Sequence, residues 1–139
     1  MSPKISKGIL LARNQLTNIC IPDEVLSKLT AMEKNFLVIF MPRADDIKIS
    51  IIPCEAPEVL KILVHLIEFS PQTVKSIADI IYEMKISTIH TSGICFHNME
   101  CCYEAYVEIS NENKLEEIKK KFIEIPECKG VDLEIVKIE

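Results

Sequence analysis

The stretch GICFHNMECCYEAY, residues 93–106, gathers three cysteines and a histidine within one apparent strand–turn–strand. Ile94 and Phe96 are apolar at even positions, while Tyr103, Ala105 and Val107 are apolar at odd ones. Matching those faces sets Phe96 opposite Tyr103, with Met99-Glu100 as a two-residue turn. His97 then lies opposite Cys102 and Cys95 opposite Glu104 on one face, where opposed side chains come within about 5 Å at Cβ. Cys95, His97, Cys102 and Glu104 are therefore the candidate metal ligands, a mixed N/S/O set. No CxxC or other zinc spacing accompanies them, and a strand cysteine or histidine is ordinarily scaffold. No metal cofactor is expected; the competing chemistry is a disulfide that uses Cys101 or Cys102.

Other chemistry finds less support. Only Gly8, Gly93 and Gly130 are glycines, which excludes a P-loop and a GxGxxG turn. No Ser-His-Asp or Cys-His order stands out, so the chain is not expected to be an enzyme. The net charge of -5 is uneven. Residues 1–53 carry seven Lys/Arg against five Asp/Glu, and residues 54–139 carry nine against sixteen. The acidic second part argues against a continuous phosphate-tracking surface, while the mildly basic first part leaves DNA open. Residues 1–7 lack a leader pattern and the longest strictly apolar run is FLVIFM at 36–41, so a cytoplasmic location without membrane contact is expected.

The elements that must position these residues fall into two halves. The first reads β-β-α-β-β: strands at 8–13 and 16–21, a helix at 23–30, and a hairpin of 36–41 with 47–52. Thr17, Ile19 and Ile21 alternate in the second strand, and Val25, Leu26 and Leu29 share a helix face. Pro22 suits the helix start, and Asp23 and Glu24 complement its dipole. Pro53 and EAPEV (55–59) mark a short, stiff linker. The boundary is set there, giving domains 1–54 and 55–139.

The second half reads β-α-β-β-α-β. A strand covers 60–69, and Ser70 caps a helix with Pro71 at its first position. Val74, Ile77, Ala78, Ile81 and Met84 recur at helical spacing. The 88–96 and 101–109 hairpin follows, then a helix with Leu115, Ile118 and Phe122 capped by Asn113 and Glu116, and a strand at 131–138. This order is ferredoxin-like, and the fold class is α+β.

The segment GILLARNQLTNICIPDEVLSKL (8–29) resembles the AbrB/SpoVT swapped-hairpin DNA-binding family, with Gly8, Ile9, Leu16, Ile21, Pro22, Glu24 and Leu29 at family-like positions. The resemblance implies an interlaced homodimer, which also answers the small apolar surface that about fifty residues bury alone. It implies DNA contacts from Lys4, Lys7, Arg13, Asn18, Lys28 and Lys34. Yet Leu11, Ala12, Thr17, Asn18, Leu26 and Ser27 stand where the family commonly has glycine or basic residues. So thin a cationic set predicts weak, salt-sensitive binding.

The second half resembles an ACT domain. SPQTV (70–74) stands in place of the family's Asp-Pro-Gly-x-Leu turn, and MKIST (84–88) in place of its Gly-Ile-Asn-Ile segment. The resemblance implies a small-molecule effector, an amino acid or similar metabolite, held by Ser70, Pro71, Gln72, Thr73, Ile86, Ser87 and Thr88. Gln72 and Lys85 replace two family glycines, where a side chain either blocks a ligand or meets a different one. The expectation is a dimeric transcription regulator with a DNA-binding half and a ligand-sensing half. The alternative is an oligomeric interaction protein that regulates an enzyme in trans without touching DNA.

Overall fold

The computed structural model describes residues 5–32, 34–96, 100–109 and 115–138. They form two compact units: 6–59 with 136–138, and 60–135 with residue 5.

In the first unit, β1 (Lys7–Leu11), β2 (Asn35–Pro42) and β3 (Ile47–Cys54) make an antiparallel sheet in the order β1-β2-β3. Leu10 faces Leu37 and Val38 faces Ile51. The central strand is apolar on both faces, and Phe36, Leu37, Val38 and Ile39 are all buried. The β2–β3 hairpin turns where Arg43 pairs with Asp46 through backbone and side chain, as its turn-forming residues predict. Ile138 adds a parallel bridge to Leu10.

The second strand expected at 16–21 is not formed. Arg13–Asn18 is a 3₁₀ segment instead. Gln15 closes it, its amide N–H reaching the Ala12 carbonyl and its side-chain oxygen accepting from the Ala12 N–H at 2.8 Å. The Ile19 N–H is taken by the Leu16 carbonyl, and Leu16 is fully buried as the anchor. These local bonds use backbone groups that a strand ladder would need, so no strand forms at 16–21 to pair with β1. Helix α1 (Asp23–Thr30) follows as expected, with Asp23 and Glu24 in its first turn and no fully buried residue.

The expected linker is shorter than its prolines suggest. Pro53 lies within β3 opposite Phe36, tolerable because β3 is an edge strand and loses no ladder donor there. Only residues 55–57 separate β3 from β4 (Glu58–Leu66).

The second unit contains most of β4, α2 (Pro71–Glu83), β5 (Thr88–Cys95), β6 (Cys101–Glu108), α3 (Leu115–Ile123) and most of β7 (Cys128–Lys137). Its sheet order β5-β6-β4-β7 is the ferredoxin-like arrangement of a β-α-β-β-α-β chain. Leu60, Ile62, Val64 and Leu66 of β4 and Cys101, Tyr103, Ala105 and Val107 of β6 point to one core face. Ile77 and Ile80 of α2 and Ile118 and Phe122 of α3 close it, each such burial contributing about 1.5–3 kcal/mol. Val74 and Ala78, expected on the buried face of α2, are exposed; Thr73 and Ile80 are buried instead. Asn113, the expected cap of α3, lies outside the described residues.

The hairpin register departs from the sequence expectation by three residues. Ile94 faces Cys102, Gly93 faces Tyr103 and Cys95 faces Cys101. In this register the Phe69 ring fits against Gly93, its Cε2 2.8 Å from where a Cβ would stand, and lies at a tilt to Tyr103. Ile94 is left 44% exposed, so its apolar character does not mark the core face.

Candidate functional site

An open hollow lies at the C-terminal end of α2, in the second unit. Ser70 starts that helix by accepting the Thr73 N–H, with Pro71 behind it. At the other end Lys85 takes a left-handed φ of 53°. Its N–H bonds the Tyr82 carbonyl, and the Ile86 N–H reaches back to the Ile81 carbonyl. This pair of bonds is a Schellman ending, and Ile81 and Ile86 are the hydrophobic partners that accompany it.

Beyond that ending opens a groove of about 690 Å³. Ala78, Ile81 and Ile86 form its apolar part. Tyr82, Lys85, Ser87, Thr88, Thr91 and Tyr103 supply its polar groups. Burial pushes the Tyr103 phenol above its ordinary range, offset in part by a hydrogen bond with Thr91. The phenol therefore stays protonated and oriented at neutral pH. An apolar hollow with a few convergent hydroxyls and one ammonium suits a small, partly apolar ligand.

The expected ligand residues are thereby split. Ile86, Ser87 and Thr88 belong to the groove, whereas Ser70, Pro71, Gln72 and Thr73 open the same thirteen-residue helix at its far end. A helix of that length is about 20 Å long, so one chain does not bring the two sets together. Lys85, Thr91, Tyr82 and Tyr103 were missed by sequence reasoning. Lys85 alone carried a signal, as a side chain at a position where the ACT resemblance has glycine.

The expected DNA-contacting residues are dispersed over the first unit. Lys7 opens β1, Asn18 ends the 3₁₀ segment and Lys28 lies in the last turn of α1, all exposed. Lys4 lies outside the described residues. Arg13 and Lys34 share a hollow of about 470 Å³ with Asn35 and Glu55. Glu55 stands 3.9 Å from the Lys34 ammonium and reduces its pull on an anion.

The expected metal set is not assembled. Cys95 is bonded to Cys101 as a disulfide, on the sheet face opposite Cys102 and Glu104. The register shift is the physical reason, since it reverses which β5 residues share a face with Cys102. His97 lies outside the described residues, and among those described no group of three His, Cys, Asp or Glu side chains could hold a metal ion. Burial, then the nearby Glu104 carboxylate, pushes the Cys102 thiol up to about 12, so it is no nucleophile at neutral pH.

That same sheet face holds a feature absent from the sequence expectations. Lys61 of β4 and Glu104 of β6 meet at 2.8 Å, 3% and 1% exposed, with the Lys61 ammonium 5.6 Å from the Tyr106 ring centroid. His65 Nε2 stands 2.8 Å from an Asp132 carboxylate oxygen beside it. The available signal was one charged residue inside each of two apolar runs, VLKILVHL and CCYEAYV.

The chain matches no known protein-family profile and no curated protein. Among solved structures it is similar to the C-terminal domain of the MgtC protein from Mycobacterium tuberculosis, at 11% identity and TM-score 0.49, over 62% of this chain and 95% of that one. It is also similar to a candidate glycine cleavage system transcriptional repressor, at 9% identity and TM-score 0.49, over 81% of this chain and 62% of that one. The chain thus spans less than two thirds of the second structure. Among the described residues no helix is long and apolar enough to cross a membrane.

Proposed function

We propose that this chain is a non-enzymatic regulatory protein whose ferredoxin-like unit senses a small metabolite. The groove beyond α2 carries the reading: apolar walls, three hydroxyl-bearing side chains of β5 and its approach, and the Tyr103 phenol converge on one hollow. The ACT resemblance of SPQTV and MKIST supports an amino acid or related acid as effector. Regulation would follow by linkage, the effector favouring one arrangement of an oligomer. The AbrB resemblance of residues 8–29 makes a homodimer the candidate for that oligomer. Ala78 is exposed on α2, so Ala78→Trp fills the groove without entering the core. Loss of metabolite binding in this variant, with unfolding midpoint unchanged, is the expected result; binding undiminished by Ala78→Trp contradicts the groove.

A second reading, the DNA-binding regulator with an AbrB-like half, has one observation in its favour: Arg13 and Lys34 share a hollow. Two cations beside a carboxylate give few phosphate contacts, which favours the interaction protein as the leading output. Retention of duplex DNA at low salt, lost in the Arg13→Ala, Lys34→Ala variant, would reverse that order.

A further inference from the structure

Lys85 is placed where glycine is the ordinary residue. It is the C′ position of a Schellman ending, with φ 53°, a region in which an L side chain brings Cβ against the backbone. A lysine there has a conformational cost, so something other than the helix ending must favour it. Its side chain is exposed, lines the groove, and has no ion-pair partner among the described residues. Ser87, Thr88 and Thr91 line the same groove and can donate hydrogen bonds. Ala78, Ile81 and Ile86 line it with apolar side chains that offer a ligand no polar group. A single cation in an otherwise neutral, largely apolar lining selects a ligand with one anionic group and an apolar body.

We propose that Lys85 is the specificity determinant of this groove, recognising the carboxylate of a small monocarboxylic acid whose branched or aromatic body packs on Ala78, Ile81 and Ile86. The assignment rests on the ligand-sensing reading above and narrows it to a class of ligand. A carboxylate paired with the cationic lysine side chain makes a charge-assisted contact. The hydroxyls of Ser87 and Thr88 complete the carboxylate's remaining lone pairs.

The test compares acids with their uncharged amides. Isovalerate, isovaleramide, phenylacetate and phenylacetamide are titrated into the full chain, followed by calorimetry and by the amide resonances of Thr88, Thr91 and Tyr103. The same titrations are run on Lys85→Gly, Lys85→Gln and Lys85→Arg. The expected result is that at least one acid binds wild type and Lys85→Arg. Its affinity falls by about tenfold or more in the Gly and Gln variants, in line with loss of a charged hydrogen bond. The matching amide binds all four proteins alike and more weakly than the acid. An acid that binds the Gly and Gln variants as tightly as wild type overturns the role of Lys85 and leaves the groove reading standing. If neither acids nor amides perturb the three resonances in wild type, the groove reading itself fails and the Lys85 assignment with it.

Discussion

The Lys61 ammonium and the Glu104 carboxylate lie 2.8 Å apart across the two central strands of the ferredoxin-like sheet, both almost fully excluded from solvent. Attraction in such a site is offset by the cost of removing both charges from water, and what remains is a strong penalty for breaking the pair. Lys61→Met or Glu104→Leu alone should destabilise the protein by about 3–5 kcal/mol, and the double variant by much less. Urea unfolding of the three variants measures this. Additive losses would show that the two charges are not coupled.

Gly93 and Phe69 make a second coupled pair. A Cβ at Gly93 would sit 2.8 Å from the Phe69 ring, so Gly93→Ala should cost about 1–3 kcal/mol through overpacking. In a Phe69→Leu background, where the ring is gone, the same substitution should cost distinctly less. A double-mutant cycle by thermal or urea denaturation reads the difference.

Lys85→Gly should raise stability by about 1 kcal/mol, because glycine adopts the left-handed conformation without the Cβ clash. Lys85→Ala should give no such gain. The measurement is the urea midpoint at constant m-value. A neutral or destabilising Gly variant would mean that the lysine stem packs usefully on the helix end.

The Cys102 thiol gives a pH signature. Its folded-state value is about 12 against an ordinary 9.0, so the fold holds the proton that the unfolded chain releases. Its contribution is complete below about pH 9 and is lost as pH rises from there towards 12. Tyr103 and Cys128, both raised by burial, act in the same sense. Stability should therefore fall through the alkaline range, and more shallowly in Cys102→Ala after allowance for its lower starting stability. At pH 8, iodoacetamide should modify exposed Cys20 promptly and Cys102 only on unfolding.

Much of the architecture is legible from local patterns. Ser70-Pro71 marks the start of α2, the 36–52 hairpin follows from an apolar run and the turn formers of PRADD, and the β-α-β-β-α-β order gives the ferredoxin-like sheet. What escapes is decided by partners distant in sequence or by single side-chain bonds. Thr17, Ile19 and Ile21 alternate like a strand, yet Gln15 folds that segment back on Ala12. Ile94 and Phe96 suggest one hairpin register, while the one formed sets Gly93 against Phe69, more than twenty residues earlier in the chain. The candidate site was half visible. Ile86, Ser87 and Thr88 were read from a resemblance, but their separation from Ser70–Thr73 and the arrival of Tyr103 from β6 depend on the helix length and the strand order.

The central claim is that the groove beyond α2 binds a small ligand. Amide resonances of the full chain, recorded during titration with isovalerate and phenylacetate, test it most directly. The account predicts saturable shifts concentrated at Ile86, Ser87, Thr88, Thr91 and Tyr103, abolished in Ala78→Trp. Shifts that centre instead on the Arg13–Lys34 hollow, or that persist unchanged in Ala78→Trp, would contradict it.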